Sequence, residues 1–431
     1  MVRYNPIILS LLTSTFAHEA SEEHDHGLYR AGTLSESWSY IEVDLPTSLS
    51  DADESILMFG NKKRIVITGG CDSPLGNEYK ESPEWGGYFE CSSIVNKTYA
   101  FDPKRMATAS MGSSSVPQEG VWGGEFEELA DMPRARARHV NAVVDGKLCL
   151  FGGRDAFDGI VAEVDCYDPD TNIWSTPTTL PDDYLTSDAA AFTRDSTVYL
   201  IGGYDGYYTA LDRVALIDMT DMDNVQYSWN PTLLDERGDI DVVFVNDKAY
   251  VAGGYTHANN YSTPFDSVEQ MDMTTQQWSF VDNLNNGGGD QQYVGLNGKI
   301  YAIGGETKLN QQNSDTEVPH LGEISTILDV VEVYDPNAAD NEWIVLEDMP
   351  QALFRFAAAE WETSDDEGVI FVFGGQVGFD PDCECFRTTN KVMVFEASNA
   401  YVKATAHSSG FMMGVGSFFA LALGVMTLIG V

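Results

Sequence analysis

The sequence predicts an all-β chain folded as a six-bladed β-propeller closed by its own N-terminal strand. Three observations carry that reading. A Gly-Gly pair recurs six times behind three mostly apolar residues, at Gly69-Gly70, Gly152-Gly153, Gly202-Gly203, Gly253-Gly254, Gly304-Gly305 and Gly374-Gly375. A second apolar strand ending in an acidic residue follows each pair, at Asp102, Asp168, Asp218, Asp272, Asp335 and Glu396. Trp174, Trp229, Trp278 and Trp343 then follow four of those strands. The first glycines are spaced by 83, 50, 51, 51 and 70 residues, and about fifty residues is the period of a four-stranded blade.

Pro133 to Leu180 is the plainest copy of the unit. Arg138-His139 opens an apolar run, Asp145-Gly146-Lys147 turns it, and Leu148-Cys149-Leu150-Phe151 leads into Gly152-Gly153. Val164 to Tyr167 and Asp168-Pro169 come next, and the unit closes on Trp174 and Leu180-Pro181. Short β-branched and aromatic runs cue the strands, and Gly, Asp, Asn and Pro cue the turns. A strand that ends beside a crowded axis must bend sharply, which glycine allows by taking φ > 0 and presenting no Cβ. The Trp is expected between neighbouring blades, burying its flat face while keeping an N–H available.

Taken in order, blade one runs from about residue 51 to 133 and departs most from the pattern. The loop after its Gly-Gly is long, residues 103 to 125 are rich in Ser, Gly and Met, and either Trp122 or Phe126 stands for the repeat Trp. Blades two, three and four are 134 to 181, 182 to 234 and 235 to 284. Blade five, 285 to 350, carries a polar insertion around Asn310 to Glu323, and blade six, 351 to 397, a longer hairpin through Ser364 to Gly368. Blade six lacks a Trp after Val392-Met393-Val394-Phe395, whereas Trp38 to Val43 with Leu45-Pro46 reads as a closing strand without its partners. The two fragments complement each other, and joining them removes unpaired edges.

These motifs resemble the kelch repeat family, and the resemblance covers residues 37 to 397. It implies a kelch-type propeller and, more often than catalysis, a recognition or scaffold role. Kelch-like propellers also include copper-radical oxidases, a sialic-acid mutarotase and iron-dependent specifier proteins. The oxidase would need several Tyr and His ligands, and inside the repeats only His139, His257 and His320 occur. His139 stands where the repeat often has His, a structural place. No GxSxG, HExxH or GxxxxGK[ST] motif is present.

The ends carry addresses. Arg3, the apolar Ile7 to Leu12 and Thr15-Phe16-Ala17 make residues 1–17 read as a signal peptide, too short to span a bilayer. Residues 18–36 read as a disordered acidic segment, with His18, His24 and His26 in a flexible terminus. Phe411 to Val431 is an uncharged run of 21 residues behind a polar spacer, 398–410. Two readings stay open: a glycosylphosphatidylinositol attachment signal with Ser398 as the lipid acceptor, or a retained transmembrane helix. Either places the repeats at the outer or lumenal side of a membrane. Six cysteines suit that compartment, with Cys71 to Cys91, Cys149 to Cys166 and Cys383 to Cys385 preferred among fifteen pairings. Asn96 and Asn260 stand in glycosylation sequons.

Charge narrows the partners. There are 67 Asp and Glu against 24 Lys and Arg, a formal net of −43, which repels phosphate backbones and argues against nucleic acid. Fourteen residues before the first glycine stand Arg138, Asp188, Asp239 and Asp290, and Arg355 takes that place once the longer hairpin is allowed for. On a kelch-like propeller these positions converge at the mouth of the central channel, which predicts a charged rim. Its carboxylates suit a cation, an amine or a basic peptide, and its arginines an anionic or amide group. The bland alternative is that each charge satisfies a turn or pairs between blades. Tyr204 and Tyr255 are candidate aromatic walls or packing residues. Asp218, Asp221 and Asp223 crowd one loop that could hold Ca²⁺, but without EF-hand spacing, so no cofactor or metal ligand is assigned. The reading is a membrane-tethered extracellular module that binds a protein or glycan partner. The alternative is a secreted carbohydrate-active enzyme, mutarotase- or oxidase-like, using the rim carboxylates.

Overall fold

The computed structural model describes residues 37–82, 86–106, 121–307, 325–362 and 368–397. The leader, the acidic segment with its histidines, the spacer, Ser398 and the hydrophobic tail lie outside the described residues, as do His320 and the core of the blade-five insertion. Among the described residues no helix is long and apolar enough to cross a membrane. The described residues are all-β apart from two single-turn 3₁₀ segments, Asp182–Tyr184 and His257–Asn259.

Among the described residues six four-stranded antiparallel sheets follow one another along the chain. Each starts from a tight hairpin such as Val140–Val144 with Lys147–Phe151, adds a third strand after the Gly-Gly turn, here Glu163–Asp168, and ends on an outer strand, Ile173–Thr179. The first strands of consecutive sheets touch in chain order, and the first strand of the sixth sheet touches that of the first. The sixth sheet takes its outer strand from the other end of the described chain: Ser37–Tyr40 pairs with Val392–Glu396, Trp38 opposite Phe395.

The cores lie between sheets, because each sheet presents alternating apolar residues to both neighbours. Ile65, Ile67 and Phe101 of the first sheet pack on Phe371, Phe373 and Val394 of the sixth, with Leu45 and Leu49 wedged between them. Tryptophan N–H groups stitch neighbouring sheets. Trp174 donates to Ala130 O at 2.9 Å, Trp278 to Pro231 O at 3.1 Å and Trp343 to Asp282 O at 3.1 Å. Trp38 does the same for the sixth sheet, reaching Glu347 O at 3.3 Å. The expectation fails at Trp229, which is 47% exposed and stacks on Tyr184 at 4.2 Å. Tyr227 takes its place by register, opposite Ile217, and its hydroxyl donates to Thr179 O. In the first sheet Phe126 holds the repeat position opposite Phe101, while Trp122 lies farther along the strand against Phe371.

A seventh four-stranded sheet was not foreseen. The long stretch after Gly69-Gly70 forms a hairpin, Asn77–Ser82 with Gly86–Cys91. It joins a second hairpin from the sixth unit, Gln376–Asp380 with Cys385–Thr388, through Glu78 opposite Cys385. The six cysteines stand in three pairs with their sulfurs at bonding distance: Cys71 with Cys91, Cys149 with Cys166, and Cys383 with Cys385. Two of the pairs therefore bracket this sheet.

Candidate functional site

Three residues ahead of each sheet's first strand, the chain makes the same bridge to the residue just past its Gly-Gly: Ser50 with Cys71, Ala137 with Arg154, Ser187 with Tyr204, Gly238 with Tyr255, Gly289 with Glu306, and Phe354 with Gln376. The residue that follows each bridge is left-handed. These six are Asp51, Arg138, Asp188, Asp239, Asp290 and Arg355, with φ between 51° and 57°. Each donates its backbone N–H to the carbonyl of the previous one. Arg138 donates to Asp51 at 2.9 Å; Asp188 to Arg138, Asp239 to Asp188 and Asp290 to Asp239 all at 3.0 Å; Arg355 to Asp290 at 3.5 Å; and Asp51 back to Arg355 at 3.0 Å. Left-handed backbone is tolerated by Asp but uncommon for Arg, and such residues gather at functional sites.

The ring brings together all five rim residues expected from sequence and adds Asp51. Asp51 escaped notice because its hairpin strands, Asp53–Phe59 and Lys62–Thr68, are seven residues long, which moves it to eighteen residues before Gly69. The allowance made for Arg355 would have found it.

Charge is unevenly shared around the ring. Asp51 stands between the two arginines, with Arg138 Nε at 3.1 Å and Arg355 Nε at 3.7 Å from its Oδ1. Arg138 also faces Asp188 at 3.6 Å, and Arg355 bonds Asp290 at 2.8 Å. Asp239 lies across from Asp51 with an aspartate on either side; its Oδ2 accepts the Tyr204 hydroxyl at 2.7 Å. Burial, then the charges of Asp290 and Asp188, lift the Asp239 carboxyl well above the ordinary range, and burial lifts Asp290 as well. Burial opposes charge on Arg138, but Asp188 and Asp51 outweigh it and raise its pKa.

The ring opens into a channel of about 340 Å³ lined by all six first strands. Below the rim stand four more acids, Asp53, Glu54, Asp241 and Glu360, which sequence reasoning missed. Asp53 and Asp241 sit two residues past ring aspartates, and each accepts a backbone N–H from the next first strand, of Asn141 and Tyr293 respectively. Burial and the charge of Asp241 push Asp53 up to about 8, and burial pushes Asp241 up to about 6. The repeated Asp-x-Asp at 51–53 and 239–241 was the available signal.

Around the mouth, the loops after the Gly-Gly pairs form a wall. The Arg154 guanidinium lies 3.7 Å over the Tyr208 ring, whose hydroxyl donates to Asp158 at 2.6 Å. Tyr204 and Tyr255 are both buried, so they pack rather than line the opening; the Tyr255 hydroxyl reaches Glu306 O at 3.2 Å. The tips of two neighbouring loops expose Phe157 and Tyr207 at the same place in their repeats.

The remaining candidates fall elsewhere. His139 is buried against Thr68, and burial holds its pKa down at about 3. His257 Nδ1 accepts the Ala210 N–H. The Asp218, Asp221 and Asp223 loop is not gathered: Asp218 and Asp221 each turn an oxygen to a backbone N–H two residues on, the ordinary use of Asp in turns. Asn260 is exposed, while Asn96 is half-buried and spends its side-chain N–H on Met132 O.

Repeated four-stranded sheets meeting at a polar channel define a repeat protein of the β-propeller class. The Kelch motif matches residues 135–181 and 236–285. Kelch-like protein terF of Aspergillus terreus is 28% identical over 297 residues, 66% of this chain and 58% of that protein. Beta-scruin of Limulus polyphemus is 32% identical over 131 residues, 30% of this chain and 14% of that protein. Kelch-like protein 36 of Mus musculus is 25% identical over 296 residues, 68% of this chain and 41% of that protein. The chain thus spans well under two thirds of the length of these relatives. The structure of YjhT matches with a TM-score of 0.56 at 14% identity, over 82% of this chain and 96% of that one, a likeness of fold. The Kelch motif matches and the kelch-like relatives support a kelch repeat family.

Proposed function

We propose that this chain is a six-bladed kelch propeller, closed by Ser37–Tyr40, that recognises a protein or glycan partner through the mouth of its channel and the loops around it. Kelch proteins generally serve as protein-binding scaffolds, and the charged ring supplies the specific surface. The single observation that carries the reading is the uneven ring. Three aspartates, 188, 239 and 290, follow one another around the ring with no arginine among them, and the arginines at its other side, Arg138 and Arg355, pair with the outer two. Such a mouth orients a ligand carrying separated positive and negative groups. Residues 1–17 and 411–431 support export and membrane attachment; release of the protein from cells by a phosphatidylinositol-specific phospholipase separates lipid tether from protein span.

Peptide and glycan arrays probed with wild type and Asp239→Asn test the reading. Asn tolerates the left-handed backbone, so the variant keeps the fold while losing the charge. The expected result is loss of the captured ligand by at least about tenfold, since a buried charged contact is worth 1.4 kcal/mol or more. Unchanged capture would remove the mouth from consideration.

A second reading has one observation in its favour. Asp53 and Asp241 are channel carboxylates whose surroundings set their pKa values apart, the pattern of an acid–base pair. Turnover of an array sugar, abolished by Asp53→Asn, would move the chain into the enzyme class.

A further inference from the structure

We infer that Asp188, Asp239 and Asp290 form a divalent-cation site at the mouth of the channel, of the kind that takes Ca²⁺. The inference rests on the mouth being the ligand site and names one component of what binds there.

An oxygen from each of the three carboxylates lies within 4.8 Å of the others. A Ca²⁺ ion holds oxygens at about 2.3–2.6 Å, so three oxygens this close together need only a small side-chain adjustment to share one ion. Each carboxylate is anchored through one oxygen and keeps the other. Asp239 Oδ2 is held by Tyr204, Asp290 Oδ2 by Arg355, and Asp188 Oδ1 faces Arg138. The independent sign of a ligand is Asp188. It is only 8% exposed, yet its Oδ2 is buried with no hydrogen-bond partner. A buried carboxylate oxygen with nothing to accept costs free energy, and native structures seldom leave one so. A cation between the three aspartates would satisfy it.

The charge also fits. Four ring carboxylates against two guanidiniums leave the mouth at a formal −2, which one divalent ion neutralises. Three protein oxygens fall short of the six to eight that Ca²⁺ takes, so the remaining positions face the channel, open to water or to a ligand's hydroxyl or carboxylate oxygens. Mg²⁺ demands tighter octahedral geometry and gives up water reluctantly, so weaker binding is expected for it.

The other polar and charged groups facing the three aspartates are Arg138, Arg355, Asp51, Tyr204, Tyr208 and Tyr255.

The test is calorimetric titration of the full chain with CaCl₂, MgCl₂ and n-butylammonium chloride. The variants are Asp239→Asn, Asp188→Asn and, as a control on an exposed loop, Asp221→Asn. The inference requires saturable Ca²⁺ binding. It also requires weakening by at least about tenfold in both mouth variants and none in the control. Absence of Ca²⁺ binding, equal binding in all variants, or saturable binding of the ammonium probe alone would each overturn it. If Ca²⁺ fails to bind while the array ligand still depends on Asp239, recognition at the mouth stands without the ion. If neither depends on Asp239, both readings fall.

Discussion

Replacing Glu269 with Ala is expected to cost about 3–5 kcal/mol of folding stability, because it strands a buried guanidinium. Arg237 and Glu269 are both fully buried, 2.9 Å apart. Burial lowers the Arg237 pKa, and Glu269 acts against that loss. Glu269 also accepts the backbone N–H groups of Leu234 and Asp235 at 2.7 and 3.1 Å, so it fixes the segment that delivers Asp239 to the ring. The same device recurs in other sheets: Asp165 holds Arg136 and Arg134, and Glu332 takes the N–H groups of Asn285 and Asn286. Glu269→Gln keeps an acceptor and is expected to lose less. Urea unfolding gives both values; a cost below about 1 kcal/mol for Ala would mean that the pair is not what holds this segment.

Gly253→Ala is expected to cost about 2–5 kcal/mol, from two sources that a control separates. Gly253 has φ +63°, where an L side chain costs about 1–2 kcal/mol, and its Cβ would stand 2.3 Å from the Gly288 carbonyl oxygen. That carbonyl accepts the Gly254 N–H at 2.8 Å, so neither backbone can retreat without breaking the contact between sheets. Crowding of this kind costs a further 1–3 kcal/mol. Gly146 has φ +78° but nothing within 4 Å of an added Cβ. Its Ala variant should show the backbone cost alone, and equal costs at the two positions would refute the close-approach account of the Gly-Gly pair.

The repeat was legible because its signals are local. Gly-Gly, the acidic strand end and the Trp each answer to a steric or polar demand that recurs in every sheet. Trp229 misled because register, not residue type, decides which side chain holds the repeat position; two residues farther along the same face of the strand it lies against Tyr184, and Tyr227 has the place. The seventh sheet was hidden because it pairs segments about three hundred residues apart, joining Glu78 to Cys385, which no local pattern marks. At the site, counting from the glycines found Arg138, Asp188, Asp239, Asp290 and Arg355 because their hairpins are regular or had one visible insertion. Asp51 lay behind two longer strands, and the channel acids became a group only when neighbouring first strands were set side by side.

The central claim is that one closed circle of backbone hydrogen bonds holds six charged residues at one mouth. Residue-resolved native-state hydrogen exchange reads it directly through the amides of Asp51, Arg138, Asp188, Asp239, Asp290 and Arg355. All six are expected to be protected, exchanging only by the opening that unfolds the whole molecule, with Asp51 as slow as Asp188 although its partner, Arg355, lies at the far end of the chain. Fast exchange at Asp51 and Arg355 beside slow exchange at Asp188 and Asp239 would mean an open row of sheets, and the mouth described here would not exist.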